Sequence, residues 1–146
     1  MTEDTAAPAA PPGGRETADY VQVKMPAESA YLSVLRTAAA GLAARLDFTL
    51  DEIEDLRIAV DEACAMLLQH NVPHTSLTCR FDLAPAELAI TVSAPTADGK
   101  APAKDTFAWT VLTALAGQVE ASAGGPDNLV AITMVKQRGG AETTAA

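Results

Sequence analysis

Seven carboxylates crowd the stretch from Asp47 to Glu62: Asp47, Asp51, Glu52, Glu54, Asp55, Asp61 and Glu62, with Arg57 as the one cation among them. Acids at this density serve in three ways. Those in a helix's first turn interact favourably with the positive end of its dipole. Others form a solvated face. A basic partner would also be held by them, and Asp55 and Asp61 are the residues expected to serve there. Cys64 and Cys79, the only cysteines, each fall on an apolar stripe or strand face, the setting of a free, buried thiol. The two histidines stand away from any cysteine pair, so there is no zinc spacing and no metal is expected.

The acids need a helix to carry them, and the chain signals one clearly. Thr49 caps its start and Glu52 returns the bond, a capping box, while Phe48 and Ile53 form a hydrophobic staple. Its apolar stripe is Ile53, Leu56, Val60, Ala63, Cys64, Leu67 and Leu68, and it ends near His70 ahead of Pro73. On the helical wheel Glu62 lies opposite Ile53, Val60 and Leu67, so it can face a pocket without entering the core. An earlier helix spans about 28–46, with aliphatics at Leu32, Leu35, Ala39, Leu42 and Leu46.

Strict alternation predicts strands at Tyr20–Met25, Leu77–Leu83 and Leu88–Ser93, the last two joined by a turn at Ala84-Pro85-Ala86. An uncharged helix follows over about 106–119. A short strand at 119–123, a Gly124-Gly125-Pro126 turn and a final strand at 129–137 complete the chain. The order βααββαββ predicts an α+β two-layer sandwich, its helices packed on one face of a mostly antiparallel sheet. Residues 1–19 and 139–146 read as disordered tails, rich in Ala, Pro and Gly or similar to such a stretch, and 20–138 as the domain.

Bulk composition sets limits. The chain has 146 residues, a formal charge of −9 and six aromatics (one Trp, two Tyr, three Phe), so alanine and the aliphatics fill most of a single core. An acidic surface repels phosphate backbones and anionic lipid, which argues against nucleic-acid or membrane binding. No basic region followed by an apolar run opens the chain and no long apolar stretch occurs, so the expected location is the cytoplasm.

The segment LDFTLDEIEDLRIAVDEACAMLLQH, Leu46 to His70, resembles the second helix of the bacterial anti-sigma serine/threonine kinases of the RsbW-like kind. These share the ATPase fold of histidine kinases, gyrase and the Hsp90 chaperone. The family reads there as Leu-Asp, Thr, an acidic helix, then Glu-Ala-x-x-Asn-x-x-x-His. The likeness extends over 20–137 in element order and is specific at 46–70. It implies that Glu62 holds the general-base position and His70 the family histidine. The residue four after the Glu would hold Mg²⁺ with the ATP phosphates; here it is Met66, a thioether that suits a hard cation poorly. The family's Asp-x-Gly is missing after Ile90, with Ala94 or a neighbour in its place, and Asp98-Gly99 reads as an ordinary turn. The family's lid is longer than 94–105, and Phe107 and Trp109 stand where its Gly-x-Gly would admit phosphates. Both aromatics are expected to pack into the pocket or core.

The resemblance therefore implies an anti-sigma factor that sequesters a sigma factor of the stress or sporulation class. A STAS-type anti-anti-sigma protein would counter it, and Glu62 would be vestigial. No cofactor is expected. The alternative is an active kinase, with ATP and Mg²⁺, acting on the anti-anti-sigma protein. Arg36, ten residues before Leu46, matches a family arginine that contacts both partners, and a homodimer is implied.

Overall fold

The structure, a computed structural model, describes residues 19–139. Apart from Asp19 and Gly139, the two expected tails lie outside the described residues. Five strands form one antiparallel sheet: β1 (Asp19–Pro26), β2 (Ser76–Ala84), β3 (Glu87–Pro95), β4 (Gln118–Gly125) and β5 (Leu129–Gln137). Their spatial order is β1-β2-β3-β5-β4, which leaves β1 and β4 as the edges. Three helices, α1 (Leu32–Arg45), α2 (Leu50–Leu68) and α3 (Phe107–Ala116), complete the expected order.

The period-two pattern of the strands explains which face the helices cover. Val23 pairs with Cys79, Cys79 with Val92, Val92 with Ile132 and Ile132 with Ala121, so one apolar row crosses all five strands. Cys79, Val92 and Ile132 are fully buried in the same core as Leu35, Leu56 and Leu67 of the helices. The opposite face carries Gln22, Arg80, Thr91, Thr133 and Glu120 in the matching row. There the Arg80 guanidinium lies 3.9 Å from the Tyr20 ring centre and its Nε donates to Asp82 at 3.0 Å.

Helix α2 packs between α1 and α3. Its start is built as expected: Glu52 N donates to the Thr49 hydroxyl at 3.1 Å, and Thr49 N donates to Glu52 Oε1 at 2.8 Å. Leu56, Ala59, Val60, Ala63, Cys64 and Leu67 face the core, and Ile53 and Leu68 are half-buried beside it. Small residues on α1, Ala39 and Ala43, let the helix lie close to its neighbours.

Several boundaries differ from expectation: β4 runs on through Gly124 and Gly125, so the turn after it is Pro126–Asn128. Residues 29–31 form a separate 3-10 turn rather than the first turn of α1. Helix α3 stops at Ala116 because Gly117 turns the chain with φ 92°, and the next strand begins at once. The hairpin loop is shorter than predicted, since Ala84 already pairs with Glu87 and only Pro85-Ala86 remain in the turn. At the far end Arg138 Nη1 donates to Leu46 O at 2.9 Å, and Gly139 N donates to Glu52 Oε2. The last described residues thus tie down the α1–α2 connection.

Candidate functional site

The C-terminal end of α2, the loop after β3 and the first turn of α3 enclose a pocket of about 430 Å³. Met66 and His70 of α2, Thr96, Asp98 and Lys100 of the loop, and Thr106 before α3 are among its walls. Loop 96–99 is held by a compact set of bonds. Thr96 N donates to Asn128 O at 3.0 Å, Ala97 N to His70 O at 2.7 Å, and Gly99 N to the Thr96 hydroxyl at 2.9 Å. Gly99 has φ 64°, and a Cβ there would sit 2.7 Å from Asn128 Oδ1, so both the conformation and the space demand glycine.

Asp98 makes the turn that its pairing with glycine suggests: its Oδ1 accepts from Lys100 N at 3.1 Å. That bond, helped by His70 and Lys100 against a little desolvation, holds the Asp98 carboxyl below the usual aspartate range. On α3, Thr106 caps the helix by accepting from Trp109 N at 3.2 Å. Trp109 is buried, as expected. Phe107 is not: it stands 83 % exposed at the first position of α3, where a side chain points out from the helix start rather than into the pocket. Burial is thus the wrong expectation for Phe107.

Glu62 is half-buried, does not line the pocket, and accepts no hydrogen bond from a described residue. The three residues expected at a partner surface divide. Arg36 and Asp61 meet between α1 and α2, where Arg36 Nη1 donates to both Asp61 oxygens at 2.9 and 3.1 Å. Asp55 faces another way, 3.9 Å from Lys136 Nζ of β5, which also donates to Leu115 O at 2.9 Å and so satisfies a carbonyl at the end of α3. No local signal marks the Arg36–Asp61 pair, because 25 residues separate its members. The pocket's Lys100 and the Asn128 anchor were also missed; the Asp98-Gly99 turn was their one local signal.

A family model described as the histidine kinase-like ATPase domain matches residues 25–130. The chain belongs to that family. Within it, the chain is similar to the serine-protein kinase RsbW of Bacillus subtilis (strain 168), at 46% identity over 56 residues, covering 38% of this chain and 35% of that protein. The RsbW of Bacillus velezensis is 48% identical over 52 residues, covering 36% of this chain and 32% of its own. The chain's match thus spans about a third of these curated relatives. Among solved structures, the RsbU and RsbW domains of Rv1364c from Mycobacterium tuberculosis superpose with a TM-score of 0.62 at 12% identity, over 82% of this chain and 32% of that one. The fold is therefore the histidine kinase-like ATPase fold.

Proposed function

We propose that this family member is an anti-sigma factor that sequesters an alternative sigma factor of the stress or sporulation class, without kinase activity. A STAS-type anti-anti-sigma protein would release the sigma factor by competing for an overlapping surface, so partner affinities and concentrations set the outcome. A cytoplasmic homodimer is part of the same reading. The observation that carries it is Met66 in the pocket wall. The family's Asn there would offer Mg²⁺ an oxygen; the thioether offers soft sulfur, which that hard cation binds poorly. The family's nucleotide and magnesium do not fit these residues: Met66 offers the cation no oxygen, and no glycine opens α3 to admit phosphates.

A second reading is favoured by Glu62 at the general-base position and by the relatives' name of serine-protein kinase. In it the chain phosphorylates a Ser or Thr of the anti-anti-sigma protein. Calorimetric titration with Mg-ATP and Mg-ADP separates the two. Micromolar binding would overturn the first reading, and loss of phosphoryl transfer in Glu62→Ala would then establish the second. Absence of binding to millimolar nucleotide, together with co-elution with a stress-class sigma factor from the source organism, is the expected result.

A further inference from the structure

Arg36 spends only one of its three nitrogens on Asp61. Nη1 donates to both carboxylate oxygens, while Nε and Nη2 bond to no described residue and the side chain is 34% exposed. A guanidinium binds a carboxylate best through two parallel N–H groups, and the Nε–Nη2 edge is such a fork. We propose that Asp61 is a positioning residue: by holding Nη1 it aims the open Nε–Nη2 edge of Arg36 at a carboxylate of the docking partner. The inference rests on the sigma-factor reading above.

The surroundings define that partner further. Arg57 is an exposed cation one turn before Asp61, but Glu54, Asp61 and Glu62 on the same helix repel a lone anion. The group that fits is an acidic side chain flanked by Lys or Arg, so that the partner's bases meet α2 while its carboxylate meets Arg36. Holding a long side chain in its bound geometry beforehand removes an ordering cost from association.

The experiment compares wild type, Asp61→Asn, Arg36→Ala and the double variant in binding a stress-class sigma factor by calorimetry. In parallel, the heteronuclear NOE of the Arg36 Nε–H group is recorded on the free protein. Expected are a high NOE in wild type that falls in Asp61→Asn, and binding about 3- to 10-fold weaker for Asp61→Asn. In the Arg36→Ala background the same change should then have no effect. Tighter binding by Asp61→Asn would make Asp61 a competitor for Arg36 and overturn the proposal. An equal loss in the Arg36→Ala background would make Asp61 a direct contact, which also overturns it. Failure of wild type to bind while the Arg36 NOE stays high removes the anti-sigma reading and the docking role built on it. A low NOE in wild type removes the positioning role alone.

Discussion

Ala86 holds a conformation that its side chain resists. It has φ 61° in the two-residue turn between β2 and β3, directly after Pro85, a place where glycine is the easy residue. Ala86→Gly is expected to raise stability by roughly 0.5–1 kcal/mol, since relief of the strain outweighs the added unfolded-state freedom. Urea melts of the two proteins check this, and a loss of stability would refute it. The thiols offer a second test. Burial, with Asp61 adding to it, pushes Cys64 up to about 12, and burial, with Cys64 nearby, also raises Cys79 well above the usual thiol range. Neither should react with a disulfide reagent at about pH 8 until the chain is unfolded, when both should. Their apolar setting was legible from alternation alone. The exposure of Phe107 was not, because a lone aromatic before a helix reads the same whether it turns inward or outward.

At the level of single elements, α2 was the most legible part of the chain, because its start signals are local and every partner lies within five residues. What periodicity missed is the use of Glu52 by the other end of the molecule. Burial pushes the Glu52 carboxyl up, but bonds from the Thr49 and Gly139 N–H groups and the Thr49 hydroxyl outweigh it, so its pKa lies below the usual value of 4.5. A carboxyl lowered in the folded state adds stability above its unfolded pKa, and that stability fades as pH falls through the folded value. Glu52→Gln should therefore be less stable than wild type at neutral pH, and the gap should close as pH falls through the lowered folded value. Thermal melts across that range decide it; a constant gap would show that the ionised carboxylate is not what matters. Thr49→Ala removes the cap itself and should cost about 1 kcal/mol. The early stop of α3 at Gly117 follows a local rule, a glycine just past the helix end, whereas the bounds of β4, set by pairing with β5, lay beyond any local rule.

Across the whole molecule, α2 is the hub: it packs on α1, on α3 and on the sheet. Leu56 on its inner face is fully buried, and Leu56→Ala should cost about 2–5 kcal/mol, measured by denaturant unfolding. A loss under 1 kcal/mol would mean that the core collapses around the gap. The layer order was readable because alternation and helical period assign every inner face without knowing who touches whom. The pocket was readable only through resemblance, since its walls come from three separated segments. The two rims of the sheet carry a consequence of a different kind. Strand β1 ends on Pro26 and carries Lys24, while β4 carries Glu120, ends in two glycines and loses register between Ala123 and Gly125. Prolines, charges and irregular register are features that spoil a strand as a template for another strand. Chains at high concentration should therefore resist zipping rim to rim into a continuous ribbon, and any stable pair of copies has to be built through a broad face.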